Sequence, residues 1–498
     1  MRSSVLGAVV ALLAALTPAA QAAPPAPLIA WTACAPARPG FECATFTVPL
    51  DHDEPRGATT TVALTRKPAA DQAGRIGSLL FNPGGPGASG IDYVHAWGEK
   101  MSAGVHGRFD VVGFDPRGIG RSNPLRCFAS EQERVEFLAA GPIFPYEPVQ
   151  ERPFFDRYRS LAAKCDQPIA RHMSTADVVR DLDLLRRALG DRKLTYFGTS
   201  YGSYIGTTYA NMFPGNVRAL AIDGVLDPEL WSSGRQVEAD RTATAEVLDE
   251  FFRLCDEASC AFGPNSKQRW RALLESVRAQ PVTLGTEVWT YDEVIAWALF
   301  AGFASEGWTD VAAVLDQLAD ASEAGLSTAA APDYDNFFDA NLGTMCADTE
   351  FPRTFGAYRA VSRYAAAGSD FGPYWWWSNS ACADWPASPD RYAGPWRART
   401  SAPVLVVGNR FDGSTGFRGA QAVARQLPNS RLLEYAGWGH IAYRRSQCAI
   451  DHIHSYLLHG SLPPVGTVCA ANPNPFLDSA SQLAGHDFRR STGPVASR

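Results

Sequence analysis

Long hydrophobic runs are almost absent from this 498-residue sequence. After the first 22 residues no stretch approaches the length needed to cross a bilayer, which excludes a polytopic membrane protein. Blocks of like charge are absent too. With 45 basic and 52 acidic residues and a net charge of −7, the chain offers no basic surface for a nucleic-acid backbone. No Cys-x-x-Cys pair occurs and no histidine stands at ligand spacing from a cysteine pair, which argues against a structural zinc site. No internal repeat or low-complexity linker divides the chain, so a solenoid or a string of small domains is not expected. The length is better met by one large core carrying an insertion.

What is present begins at the amino end. Met1-Arg2, an apolar run from Val5 to Leu16 and Ala20-Gln21-Ala22 describe a cleavable secretory signal over residues 1–22. The expected mature protein is secreted and soluble, starts near Ala23 and keeps no membrane association after cleavage. The first cysteine, Cys34, lies too far downstream for a lipid anchor. Ten cysteines in an exported chain suggest disulfides. The expected pairs are local in sequence: Cys34/Cys43, Cys127/Cys165, Cys255/Cys260, Cys346/Cys382 and Cys448/Cys469. His452, His454 and His459 fall in an apolar helical pattern and read as packing or surface residues.

Strand-like and helix-like segments alternate through the first half. Leu79-Leu80-Phe81 and Val111-Val112-Gly113-Phe114 suit strands buried on both faces of a parallel sheet. Ser174 or Thr175 caps a helix whose apolar stripe is Val178, Leu182, Leu185 and Leu189, and Gly190 ends it. The alternation resumes near the carboxyl end with Pro403–Val407, Gly416–Leu427, Arg431–Tyr435 and Ser446–His459. Between these parts, residues 228–398 show helical patterns and no convincing buried strand. The expected organisation is a signal (1–22), a first core part (23–227), a helical cap (228–398) and a second core part (399–498). The cap is expected over the carboxyl edge of the sheet, where open α/β sheets bind ligands.

The chemistry-bearing residues start with Gly198-Thr199-Ser200-Tyr201-Gly202. An extended run, Leu194–Phe197, precedes this pentapeptide and a helical run from Ser203 to Met212 follows it. Strand, tight turn and helix in that order make a nucleophile elbow, with Ser200 at its tip. A serine needs a base, an acid to orient the base, and donors for the oxyanion. Asp412, just past the strand Pro403–Val407, and His440, in Gly437-Trp438-Gly439-His440, supply acid and base in the chain order Ser, Asp, His. The expected oxyanion donors are the amide of Tyr201 and one from Asn82-Pro83-Gly84-Gly85-Pro86-Gly87, with Gly85 favoured over Gly84. That loop lacks the lysine and the spacing of a phosphate-binding loop. The Asp115/Arg117 loop reads as structural. No cofactor or metal is implied.

These residues resemble the secreted α/β-hydrolases of the tripeptidyl aminopeptidase group, relatives of the proline iminopeptidases. The resemblance runs from Trp31-Thr32-Ala33-Cys34 and Val48-Pro49-Leu50-Asp51 through the glycine loop, Phe114-Asp115-Pro116-Arg117-Gly118, the elbow and Asp223-Gly224-Val225 to Asp412 and Gly439-His440. It implies an α/β-hydrolase fold, a triad of Ser200, Asp412 and His440, and a substrate-selecting helical cap. Two positions depart from the group's pattern. Gly413-Ser414-Thr415 follows the acid where the group commonly has proline and a Thr-Pro, and Pro83 stands where proline iminopeptidases carry a histidine before Gly-Gly-Pro-Gly.

The expected activity is serine-dependent release of short peptides from free N-termini. The alternative is an esterase or amidase acting on small acyl compounds or exported metabolites, and an intact triad speaks against a non-catalytic binding protein. An aminopeptidase needs an acidic anchor for the substrate ammonium. Asp348 and Glu350 are the expected anchors, with Glu250 and Asp256 behind them, and Trp375-Trp376-Trp377 is a candidate apolar subsite.

Overall fold

The computed structural model describes residues 29–36, 38–285, 287–320 and 334–477. The expected signal, residues 1–22, lies outside them. Among the described residues twelve strands follow one another: β1 (Thr32–Ala33), β2 (Glu42–Pro49), β3 (Thr59–Lys67), β4 (Gly77–Asn82), β5 (Phe109–Phe114), β6 (Leu194–Thr199), β7 (Val217–Asp223), β8 (Val282–Leu284), β9 (Glu287–Trp289), β10 (Val404–Phe411), β11 (Ser430–Trp438) and β12 (Val468–Cys469). Ten of them form one sheet in the order β1-β2-β3-β5-β4-β6-β7-β10-β11-β12. β1, β2 and β3 enter antiparallel, and every pairing from β5 to β12 is parallel. Every residue of β4, β5 and β6 is buried, which explains why these strands read as unbroken apolar runs rather than alternating ones.

The helix Thr175–Ala188 shows how local sequence serves the sheet. The Ser174 hydroxyl accepts from the Asp177 amide at 3.1 Å and caps the helix. Val178, Leu182 and Leu185 are buried against β3 and β5 residues such as Val62 and Phe114, each burial contributing about 1.5–3 kcal/mol. The chain then turns at Gly190, whose φ of +82° suits the end of a helix, and enters β6.

All ten cysteines pair as their sequence neighbourhood suggested: Cys34–Cys43, Cys127–Cys165, Cys255–Cys260, Cys346–Cys382 and Cys448–Cys469. No described helix is long and apolar enough to cross a membrane.

The chain between β7 and β10 is mainly helical and includes Gln236–Ala258, Ser266–Ala279, Trp308–Asp320 and Phe337–Asp348. Two differences from the sequence reading appear here. β8 and β9 form a short hairpin inside the segment; strands of three residues bury too little to leave a periodic signal. In addition, the cluster around Phe251, Trp308 and Trp376 takes in Leu125, Phe154 and Tyr158 from the first half. The layer above the sheet is thus built from two stretches, one of them before the expected boundary at 228. The Pro148–Arg159 helix packs onto residues near 380, a contact between distant positions that one-dimensional periodicity cannot reveal.

Candidate active site

Ser200 links β6 to the helix Tyr201–Met212 and has φ +57° and ψ −128°, an unfavourable backbone for a residue with a side chain. The strained turn is possible because its neighbours are glycines. A Cβ at Gly198 would lie 2.3 Å from the Gly202 carbonyl oxygen, and one at Gly202 would lie 2.4 Å from that of Asn82. The Ser200 amide donates to the Asp223 carbonyl at 2.9 Å, tying the elbow to β7.

Asp412 follows β10 and is buried. Its carboxylate accepts from the Ser414 and Thr415 amides and the Thr415 hydroxyl, each at 2.9 Å. The departure Gly413-Ser414-Thr415 therefore still closes a tight loop around the acid. His440 Nδ1 lies 2.9 Å from Asp412 Oδ2 and 3.0 Å from Oδ1, with the Thr415 hydroxyl 3.2 Å away. Burial alone would raise the Asp412 pKa. The His440 imidazole and the Thr415 and Ser414 amides override it and hold the carboxyl below its ordinary value. Thr415→Val removes one charge-assisted bond from this pair, and kcat/KM on an activated ester should fall roughly tenfold while Thr415→Ser stays near the parent.

Around His440 the structure supplies supports that carry no sequence signature. Its amide donates to the Phe303 carbonyl at 2.9 Å, and Arg445 bonds the His440 carbonyl, the Phe303 carbonyl (3.0 Å) and Glu306 (2.9 Å). Ile441, β-branched yet at φ +76°, is held by the two amides that follow it, Ala442 and Tyr443, which donate to buried Asp223 at 3.1 and 2.8 Å. Burial pushes the Asp223 carboxyl up to about 6, against those same amides.

Ser200 and His440 line one cavity of about 1080 Å³ between the sheet edge and the helical layer. Gly85 lines it as well. Gly84 instead packs under the elbow, where a Cβ would lie 2.7 Å from Ser200 Cβ, and its amide already donates to Asn82 Oδ1 at 3.0 Å. Trp375 and Trp376 reach the cavity wall. Trp377 is fully buried and donates to the Ser362 hydroxyl, so only part of the tryptophan run is available to a ligand.

The expected acidic anchors are not where the sequence reading put them. Asp348 is 1% exposed and lies outside the cavity; it accepts from the Thr175 amide and hydroxyl, both at 2.6 Å. Glu350 is an exposed partner of Arg391 at 3.4 Å. Glu250 binds Arg253 and the Trp438 indole, and Asp256 accepts from the Ser266 amide. A short-range reading cannot tell an acid that braces a helix terminus from one that faces a ligand. Arg117 does act structurally, holding Asp181 and the Pro49 and Leu50 carbonyls.

Of the acids that line the cavity, Asp240, on the helix Gln236–Ala258, is the buried one. It is buried, and its one side-chain partner among the described residues is the Gln236 amide at 2.7 Å. No described cation pairs with it, whereas the cavity acids Asp92 and Glu306 pair with Arg121 and Arg445 and the fourth, Asp335, is exposed to water. The Gln236 Oε1 atom beside it is buried without a partner among the described residues. A signal did exist: Asp240 occupies an apolar-stripe position between buried Val237 and Val247. The position lies near the amino end of the helix Gln236–Ala258, and the stripe alone does not say that it meets a cavity.

Burial pushes Asp348 up to about 7, and burial with the Asp412 charge pushes Asp240 up to about 8. Above pH 6.5 the folded chain therefore keeps protons that the unfolded chain has released, and stability falls as pH rises through 7 and 8. Below pH 6.5, half-buried His172 and His454, whose pKa values desolvation lowers, act in the opposite direction. The midpoint of thermal unfolding should decline from pH 6.5 to pH 9, and Asp240→Asn should flatten that decline.

Comparison with known proteins follows this geometry. Residues 367–469 match the family model described as TAP-like protein. Serine protease Hip1 of Mycobacterium tuberculosis is 29% identical over 481 residues, covering 89% of this chain and 91% of that protein. Tripeptidyl aminopeptidase of Streptomyces coelicolor is 28% identical over 462 residues, covering 87% and 84%. Carboxylesterase B of Mycobacterium tuberculosis is 31% identical over 455 residues, covering 86% of each chain. With relatedness along this much of its length and an elbow serine sharing one cavity with a histidine–aspartate pair, the chain belongs to the TAP-like family of α/β-hydrolases and is a serine hydrolase.

Proposed function

We propose that the protein is an exported exopeptidase that releases short peptides from free N-termini. Ser200 Oγ attacks the scissile carbonyl and passes its proton to His440, whose Nδ1 side is held by Asp412. The Tyr201 and Gly85 N–H groups receive the oxyanion, and His440 returns the proton to the leaving amine. Water then repeats the sequence in reverse on the acyl-enzyme. Among the described residues no partner is found for the Gly85 amide, whereas the Gly84 amide is committed to Asn82 Oδ1, which supports this choice of donor.

The observation that carries the free-amine reading is Asp240. A buried carboxylate without a cation, facing the cavity that holds Ser200, is unfavourable unless the substrate supplies the positive charge. The relative named tripeptidyl aminopeptidase fits the same reading. Five disulfides support a place outside the reducing cytoplasm. The second reading, an esterase of small acyl compounds, is favoured by the relative named carboxylesterase B. Tripeptide anilides with free and acetylated N-termini, run beside nitrophenyl esters, decide between them. The exopeptidase requires a strong preference for the free amine; esters turned over faster, with no such preference, would establish the second reading.

A further inference from the structure

Two chain segments supply the proposed oxyanion donors. Tyr201 follows β6, and Gly85 lies in the loop after β4. One helix of the insert, Phe337–Asp348, packs on the Gly85 loop and reaches Tyr201 through Thr175. Near its start, the Phe337 ring packs on Gly85, where a Cβ would lie 3.3 Å from it, and the Phe337 carbonyl lies 2.7 Å from a Cβ built on Gly87. One turn on, Asn341 Nδ2 donates to the Pro86 carbonyl at 3.0 Å. At the helix end Asp348 accepts from Thr175 Oγ1 at 2.6 Å, and that hydroxyl is bonded to the Tyr201 phenol. The helix is itself anchored: Asn336 bonds the Gly118 and Leu125 carbonyls at 2.8 and 3.1 Å, and Cys346 is joined to Cys382. Phe337, Asn341, Leu342 and Met345 of this same helix also wall the cavity.

We propose that Asn341 and Asp348 are positioning residues for the oxyanion hole, holding the Gly85 and Tyr201 amides at their working separation through one rigid insert helix. The helix that shapes the substrate cavity thereby also sets the catalytic donors. Asp348, the residue whose chemistry suggested an ammonium anchor, acts from behind the elbow through Thr175 and Tyr201. Catalytic donors lose much of their effect when displaced by a fraction of an ångström, since the hydrogen bond to the oxyanion depends steeply on distance and angle. The proposal rests on the Ser200 acyl-transfer reading and is independent of the free-amine preference.

The test uses Asn341→Ala, Asn341→Asp and Asp348→Asn in the full-length protein. Four quantities are read: kcat and KM on one nitrophenyl ester, the affinity of a peptide aldehyde that forms a tetrahedral adduct with Ser200, and the affinity of the matching reduced-amide peptide, which does not. The expected result is a kcat lowered roughly tenfold or more, an aldehyde weakened in proportion, and KM and reduced-amide affinity within about twofold of the parent. Asn341→Asp, which sets a carboxylate against the Pro86 carbonyl, should lose at least as much as Asn341→Ala. If Asp348→Asn fails to fold, the two Asn341 variants decide the question. Unchanged aldehyde affinity, or losses confined to KM or to thermal stability, would overturn the proposal. A parent enzyme indifferent to the aldehyde would overturn the Ser200 reading and this one with it.

Discussion

Ser200→Ala is expected to lower kcat by roughly 10⁴–10⁶-fold on any substrate the protein turns over. The reason lies in the elbow. Ser200 is the side chain that the strained turn presents to the cavity, beside a histidine already oriented by Asp412. KM should change little, because the cavity wall remains and removal of the hydroxyl leaves the Gly198 and Gly202 packing untouched. Adding His440→Ala should cost almost nothing more, since nucleophile and base act as one unit. A fluorophosphonate should label the parent at Ser200 and leave Ser200→Ala unlabelled. Labelling of the alanine variant, or a double variant far slower than the single one, would assign the chemistry to another residue.

Asp240→Asn carries the second large effect. For a tripeptide anilide with a free N-terminus, kcat/KM should fall by about 10²–10³-fold, the cost of leaving a buried ammonium without its partner. The acetylated tripeptide should be unaffected, because asparagine replaces a side chain that is mostly the neutral acid near pH 7 and that a blocked N-terminus does not use. The parent enzyme should also show a pH signature. Its preference for the free amine should rise as pH approaches 8, where burial and the Asp412 charge set the Asp240 pKa. It should then fall as the substrate's own α-amino group, with a pKa of about 7.7–8.0, loses its proton. Asp240→Asn should abolish the rising limb. Equal losses on free and blocked peptides would mean that Asp240 only supports the helix, and a rising limb that survives in the variant would assign it to another group.

The elements legible in the sequence were those whose signal is short-ranged. Leu79-Leu80-Phe81 and Val111–Phe114 announced buried parallel strands because both faces of the central sheet are covered. The capped helix Thr175–Ala188 followed from one serine, one stripe and one glycine. The elbow, the acid after β10 and the histidine after β11 were legible because this chemistry restricts which residues stand at the carboxyl ends of strands. Cysteine pairs close in sequence were paired correctly, the chain between them being short.

The role of each acid followed a different logic. Asp348 and Asp240 carry the same side chain, and each lies on a helix of the insert. One turns inward to Thr175 behind the elbow, and the other faces the cavity beside Gln236. Local sequence is silent on that difference, because it depends on how a helix is rotated against partners up to 173 positions away. The same holds for Phe303 and Arg445, which support the His440 loop from the insert and from the turn beyond it. The fold class and the residues proposed to react were legible in the chain alone, since strand burial and the nucleophile turn impose local constraints on residue type. Which buried acid lines the cavity with Ser200, and what braces the Gly85 and Tyr201 segments, came from the packed structure, because burial, charge pairing and hydrogen-bond satisfaction are properties of the assembly of helices over the sheet.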